Sequence, residues 1–134
     1  THGPRAERDY GVKINRKMRS VALASLLSRK LKDGEVIFVD SFAFSEPKTK
    51  DAKAMLVAIA KGAGQDTLAT KRLNAAIIAL ASKNANAEKS FQNIGSVITD
   101  EVRNLNPLEL MTKKYVVIEN PTESVALLAS RLKK

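Results

Sequence analysis

The sequence predicts an α/β protein in which a mostly parallel four-stranded sheet has helices on both faces and follows a basic extended arm. Short apolar runs rich in β-branched residues alternate with longer segments of helical spacing, and helix stop and start residues separate them. Strands that alternate with helices are joined by right-handed crossovers, which give a parallel sheet covered on both faces. The 134 residues are enough for one domain. We therefore expect an arm over residues 1–14 and a single α/β domain over residues 15–134.

The first predicted helix begins after Asn15, a good capping residue, and ends before Gly34. Leucines at spacing four and three further apolar residues form its apolar side: Leu23, Leu27, Leu31, Val21, Ala24 and Leu26. The run EVIFVD, residues 35–40, follows at once. It is short, apolar and rich in β-branched residues, which is typical of a strand covered on both faces.

The second predicted helix begins at Pro47 to Thr49 and ends at the glycines of residues 62–64. Its core stripe consists of Ala52, Met55, Leu56, Ile59 and Ala60. The next apolar run, LNAAIIALA at residues 73–81, fits a strand or a short buried helix, because its alanines favour a helix while its place in the alternation favours a strand. We predict a strand.

The rest of the chain continues the alternation. Residues 84–92 have helical character, and SVITD (96–100) and YVVIE (115–119) are predicted strands. Two Asn-Pro-x-Glu stretches, at 106–109 and 120–123, each begin a helix: the asparagine caps, the proline sets the first helical φ, and the glutamate can reach the cap amide. The first of these helices has one or two turns, and the second closes the sequence.

Composition and motifs give no support to an active site. The absence of cysteine excludes disulfides, thiolate zinc sites and cysteine nucleophiles. No apolar run is long enough for a membrane span, and the polar, proline-containing N-terminus has no apolar region of a signal peptide. His2 lies next to a chain end, Gly62-x-Gly64 follows a helix rather than a strand, and Asp40 and Asp100 have the character of turn residues. We predict a soluble intracellular protein that is not an enzyme and has no catalytic residues, metal site or cofactor.

Positive charge is concentrated at the start of the chain. Residues 1–32 hold nine lysines and arginines against Glu7 and Asp9, so they carry +7 of the formal net charge of +9. A charge excess confined to one quarter of a chain indicates a surface that meets a polyanion. Nucleic acid fits better than an anionic membrane, because the arm has no Trp or Phe anchor and no broad apolar helical face.

The arm and the first helical turn combine six cations with one tyrosine: Arg5, Arg8, Lys13, Arg16, Lys17, Arg19 and Tyr10. Guanidinium and ammonium groups bind phosphates, and an aromatic ring stacks on a base or a sugar. Three of the cations crowd the first turn of a helix, where the macrodipole is already positive. A bound polyanion would remove this repulsion.

Several motifs, in the same order across nearly the whole chain, resemble the bacterial type of the universal large-subunit ribosomal protein four family. They are Gly3-Pro4, Arg8-Asp9-Tyr10, the stretch Lys13-Ile14-Asn15-Arg16-Lys17, Phe42-x-Phe44-x-x-Pro47-Lys48-Thr49-Lys50, Asn93-Ile94, and Leu105-Asn106-Pro107-Leu108-Glu109-Leu110.

The resemblance implies a structural constituent of the large ribosomal subunit that binds ribosomal RNA and supports early subunit assembly. Its implied partners are large-subunit ribosomal RNA, neighbouring ribosomal proteins and, for some members, their own messenger RNA. No membrane is an implied partner. The implied location is a ribosome, in the cytoplasm or in an organelle. The resemblance assigns phosphate contacts to the six cations and ribose or base packing to Tyr10, and it adds Lys48 and Lys50 at the start of the second helix.

Family members also carry, before the position of Gly3, an N-terminal strand and helix and a long loop that reaches the peptide tunnel. The resemblance thus places Thr1 at the returning end of that loop.

Two other interpretations stay open. A small α/β enzyme with an incidental arm predicts a concave site at the carboxyl ends of the strands. A protein-interaction module predicts an exposed apolar groove where the N-terminal helix of the family would pack.

Overall fold

The computed structural model describes residues 2–133, so Thr1 of the predicted arm and Lys134 of the predicted domain lie outside the described residues. Four strands of this part of the chain form one sheet: β1 (Val36–Val39), β2 (Ala76–Leu80), β3 (Val97–Glu101) and β4 (Tyr115–Glu119). All neighbouring pairs are parallel, and the strand order is β1-β4-β2-β3. The predicted fold class is confirmed.

Six α-helices and one 3-10 turn accompany the sheet within residues 2–133. They are α1 (Arg16–Lys32), α2 (Thr49–Ala63), α3 (Thr67–Thr70), α4 (Ala85–Gln92), the 3-10 turn Val102–Asn104, α5 (Pro107–Thr112) and α6 (Pro121–Leu132). Gly34 and Gly64 follow α1 and α2 with φ of +70° and +66°, the left-handed conformation that ends helices. The five longer helices match the predicted ones, whereas α3 and the 3-10 turn were not predicted.

Helices cover both faces of the sheet, as the sequence predicts. Strand residues alternate between the faces, so Ile78 and Val117 pack with α2, α3 and α4, while Ile77 and Val116 pack with α1, α5 and α6. The two central strands, β2 and β4, are buried at every residue. The run 73–81, which fitted a strand or a short helix, therefore contains a strand, as predicted, and this strand is the buried stretch Ala76–Leu80.

The apolar side of α1 is only partly covered. Leu23 is 2% exposed and lies in the core, whereas Leu31 and Val21 are 62% and 64% exposed. Helices α5 and α6 pack against α1, and Leu26 and Leu27 pack against the same core, whereas Leu31 borders an open groove beside the edge strand β1. Leu31 and Val21, which were predicted for the apolar side of α1, therefore lie outside its packed part.

The two Asn-Pro-x-Glu stretches are capped differently. The side chain of Asn106 accepts a hydrogen bond from the backbone amide of Glu109 at 2.9 Å, as predicted. Asn120 instead has a φ of +44°, and its side-chain amide donates to the carboxylate of Glu123 at 3.0 Å. Asn15 takes the cap position of α1 without a side-chain hydrogen bond. The left-handed backbone of Asn120, which the sequence pattern does not specify, distinguishes it from the extended Asn106.

Candidate nucleic-acid interface

The segment before α1 is exposed over its whole described length. Residues 2–15 contain no helix or strand, and each of them is exposed to solvent. Its hydrogen bonds are local: the amide of Arg8 donates to the carbonyl of Arg5 at 3.3 Å, and the amide of Gly11 donates to the carboxylate of Asp9 at 2.8 Å. The basic arm therefore presents its side chains and much of its backbone to an external partner.

The six predicted cations form no ion pair with an acid of residues 2–133. The ion pairs found among residues 2–133 involve Arg29, Lys30, Lys48 and Arg103, none of which belongs to this set. All six residues are exposed. Their charges are thus available to an anion from outside the described chain.

Tyr10 is presented for stacking and already lies beside a cation. Its side chain is 70% exposed, and the guanidinium carbon of Arg8 lies 5.3 Å from the centroid of its ring. This is a cation–π distance, which holds the planar guanidinium next to the ring. The pair offers one aromatic and one cationic group to the same stretch of a ligand.

The arm leads directly into the positive end of a helix. Arg16, Lys17 and Arg19 lie in the first turn of α1, which holds no acidic residue, and Asn15 leaves the first amides without a side-chain cap. Free amides and the macrodipole add to the positive potential of the three side chains. An anion at this helix end is accordingly stabilised by backbone and side chains together.

Arg131, at the end of α6, adds a further cation to this junction. Its guanidinium donates to the carbonyls of Val102 and Leu105 at 3.0 and 2.9 Å, and its own carbonyl accepts from Ser20 of α1 at 3.4 Å. Burial, followed by the nearby positive charge of Arg19, lowers the pKa of Arg131. Sequence reasoning missed this residue, because nothing in the order of residues indicates that α6 ends beside α1.

Lys48 and Lys50 lie apart from this junction. They flank the start of α2, which packs on the sheet face opposite to α1. Lys48 pairs with Glu46 at 3.2 Å in an exposed ion pair, and Lys50 is exposed. The structure therefore does not bring these two lysines together with Arg16, Lys17 and Arg19 in the first turn of α1.

Carboxylates at the ends of the strands hold loops rather than forming a reaction site. The buried Glu119 accepts from the amides of Phe42 and Ala81 at 2.9 and 3.1 Å. Asp100 accepts from the amide of Glu101 at 2.7 Å. Within residues 2–133 there is no group of three or more His, Cys, Asp or Glu side chains that could hold a metal ion. The enzyme interpretation gains no support from this edge.

An apolar groove lies between α1 and α6 beside the edge strand β1. Leu31, Phe38 and Val125 on its walls are 62%, 47% and 49% exposed, and Ile118 and Leu128 also line it. An exposed apolar groove is the feature that the protein-interaction interpretation predicts. As for membranes, none of the helices described here combines the length and the apolar character that a crossing needs.

Comparison with known proteins shows a likeness along nearly the whole chain. The model of the Ribosomal protein L4/L1 family matches residues 1–127. Proteins named large ribosomal subunit protein uL4 are similar: that of Solibacter usitatus is 36% identical over 87% of this chain and 50% of its own length. The corresponding protein of Staphylococcus haemolyticus is 33% identical over 89% of this chain and 51% of its own length. The chain spans about half the length of the curated relatives it matches.

Proposed function

Because the chain belongs to the ribosomal protein L4/L1 family, we propose that it is a structural constituent of the large ribosomal subunit and binds the ribosomal RNA of that subunit through its basic arm. The proposed binding of RNA rests on the six exposed cations, which form no ion pair with an acid of residues 2–133. The name shared by the relatives supports the ribosomal part. The role is structural, not enzymatic.

The arm binds RNA in three ways in this proposal. The guanidinium groups of Arg5 and Arg8 hold phosphate oxygens through paired hydrogen bonds. A phosphate at the start of α1 accepts from the free amides and removes the repulsion among the cations of its first turn. The ring of Tyr10 packs on a base or a ribose. Phosphate contacts set the affinity, and stacking selects unpaired nucleotides.

The proposed setting is the ribosome of the cytoplasm, where binding accompanies early assembly of the subunit. Neighbouring ribosomal proteins are further proposed partners, and the apolar groove between α1 and α6 supports a contact of this kind. The arm has no feature that selects messenger RNA over ribosomal RNA, so messenger RNA is not part of the proposal.

The test is filter binding of large-subunit ribosomal RNA and of an unrelated RNA over a series of salt concentrations. The arm variant carries four substitutions: Arg5→Ala, Arg8→Ala, Arg16→Ala and Arg19→Ala. The control variant removes the same charge from exposed, unpaired positions elsewhere: Lys53→Ala, Lys61→Ala, Lys83→Ala and Lys89→Ala.

We expect the arm variant to bind more weakly and to flatten the dependence of log K on log salt by about 0.7 to 0.9 for each phosphate that it no longer binds. The control variant should keep a slope close to that of the unchanged protein. The unchanged protein should prefer large-subunit RNA at moderate salt, because specific recognition survives screening better than general polyanion attraction. An arm variant with an unaltered slope contradicts the proposal.

A further inference from the structure

We propose that a second RNA-binding surface lies at the edge of the sheet where the strands begin, and that it holds phosphates of the same RNA as the arm. This edge surface consists of Lys71, Arg72 and Lys114, which precede β2 and β4. The inference rests on the proposed function, since the RNA is the one that the arm binds. It concerns residues that neither the charge pattern of the sequence nor the family motifs single out.

Hydrogen bonds bring Lys71 and Lys114 of the edge surface together, and Arg72 directly follows Lys71 in the chain. The amide of Lys71 donates to the carbonyl of Thr67 at 3.0 Å, and the ammonium of Lys114 donates to the hydroxyl of the same threonine at 3.3 Å. The amide of Lys114 donates to the carbonyl of Asn74 at 3.1 Å, which fixes the loop of residues 71–74 against the start of β4. Lys71 and Arg72 are exposed.

Two buried lysines add positive charge behind this surface. Lys113 is 5% exposed, and its ammonium donates to the neutral side chain of Asn74 at 3.0 Å. Lys30 is 7% exposed, and its ammonium donates to Glu35 at 3.0 Å and to the carbonyls of Lys113 and Lys114 at 2.8 and 2.7 Å. Of these two lysines, only Lys30 forms an ion pair with an acid of residues 2–133, whereas the Lys113 ammonium donates to a neutral amide. The field of a buried charge is screened less than that of an exposed one.

The balance of charge at this edge is positive. The two buried lysines and the three residues of the edge surface make five cations, while the acids on the same segments are Asp33, Glu35, Asp66 and Glu109. Among the described residues, Asp33 pairs with Arg29 and Glu35 pairs with Lys30, and the other two acids form no ion pair. The positive charge at the edge surface therefore exceeds the negative charge of the acids on these segments, and this excess attracts an anion.

The shape of the edge surface fits a phosphate chain. Its cations stand on an open loop and a strand start, and Leu73, between Arg72 and Asn74, is 72% exposed. An extended set of cations beside an apolar side chain can contact successive phosphates while the side chain packs on a sugar or a base.

Helix α1 connects the edge surface with the arm. Lys30, in its last turn, donates to the carbonyls of Lys113 and Lys114 beside the edge surface. Arg16 is its first residue and directly follows the arm. With 17 residues, α1 separates the two surfaces by about 25 Å. RNA that contacts both is bound at two linked sites, so each contact raises the effective concentration of the other.

The test compares two charge-matched variants in filter binding with large-subunit ribosomal RNA over a salt series. The edge variant carries Lys71→Gln, Arg72→Gln and Lys114→Gln, and the control carries Lys53→Gln, Lys83→Gln and Lys89→Gln. We expect the edge variant to bind at least tenfold more weakly at about 0.1 M salt, with a slope lower by about two to three, at 0.7 to 0.9 for each phosphate contact. The control should change affinity less than about twofold, because scattered surface charges contribute little.

Thermal unfolding identifies a variant that is not folded, and Arg72→Gln alone then replaces the edge variant. The side chain of Arg72 is exposed and forms no ion pair within residues 2–133, so this substitution should leave the fold intact and lower the slope by about 0.7 to 0.9. Hydroxyl-radical footprinting adds a second readout: the edge variant and the arm variant should each lose protection of a different RNA segment.

The outcomes separate the two proposals. An edge variant that binds like its control overturns the edge surface, and if the arm variant still loses affinity, the proposed function stands. An unaffected arm variant together with a weakened edge variant overturns the role of the arm and supports the edge. Loss of the same footprint by both variants overturns a separate second surface.

Discussion

At the scale of single residues, the arm is characterised by exposed cations that no acid of residues 2–133 pairs with. Tyr10 and the cations around it are exposed, and the acids nearest in sequence do not neutralise them: Asp9 accepts from the amide of Gly11 instead. Arg8 lies against the ring of Tyr10, so a guanidinium and an aromatic face are already arranged side by side. Such a pair needs little further ordering to bind a nucleotide.

Tyr10 provides a test of stacking. Tyr10→Phe should leave the affinity for large-subunit RNA nearly unchanged, since the face of the ring stacks, whereas Tyr10→Ala should cost about 1 to 3 kcal/mol of binding free energy. Filter binding at fixed salt measures both. If the phenylalanine variant loses as much as the alanine variant, the hydroxyl and not the ring makes the contact.

At the scale of secondary-structure elements, α1 shows how tertiary packing selects among residues of one apolar side. Leucines at spacing four predict the helix correctly, yet only those that face α5, α6 and the sheet are covered. Leu23 lies in that packed part, and Leu31 borders the open groove. The same residue type in the same helix therefore has two different energetic roles.

Two matched substitutions in α1 test this difference. Leu23→Ala should lower the free energy of unfolding by about 2 to 5 kcal/mol, because it removes a buried side chain from the core. Leu31→Ala should change it by less than about 0.5 kcal/mol, since the side chain is mostly in water. Urea unfolding of the described chain measures both values, and equal losses would mean that Leu31 is packed as well.

The elements that the sequence predicts are those with a repeated period or a clear stop. All four strands and the five longer helices meet this condition. For β2, which lies in the run 73–81, the place in the alternation decided for a strand. The single turn α3 and the 3-10 turn at residues 102–104 are too short to show a period. Strand order is likewise beyond local pattern, because the pairing partners of a strand are distant in sequence.

The candidate interface divides along the same line. Confinement of charge to residues 1–32 predicts the cations of the arm, which are neighbours in sequence. Arg131 and the edge surface could not be predicted, because their neighbours are brought close only by folding: Arg131 bonds to the carbonyl of Val102, and Lys114 bonds to Thr67. A signal that depends on contacts between distant segments is absent from composition and spacing.

At the scale of the whole molecule, the arm and the body differ in how they are held. The hydrogen bonds of residues 2–14 that are found in the structure lie within the arm, whereas the body has an apolar core on each face of the sheet. The two parts therefore divide their tasks in the proposed function: the body supplies a stable support, and the arm supplies contact with RNA.

Deletion of residues 1–14 tests this division. The shortened chain should keep its free energy of unfolding within about 0.5 kcal/mol, because residues 2–14 are exposed and belong to neither core cluster. It should also lose RNA affinity and part of the salt dependence. Calorimetry and filter binding measure the two effects. A clear fall in melting temperature would show that the arm packs on the body and belongs to one unit with it.

The strand order has a consequence for synthesis of the chain. β4 lies between β1 and β2, and Val36 pairs with Val116 of β4, so among the four described strands the first in sequence can pair only after the last has been synthesised. Until then β2 and β3 can pair, but β1 waits with a free edge and uncovered apolar side chains. A nascent chain that stalls before residue 115 therefore lacks the strand that joins β1 to the pair of β2 and β3, and the apolar side chains that β4 covers in the folded protein stay uncovered.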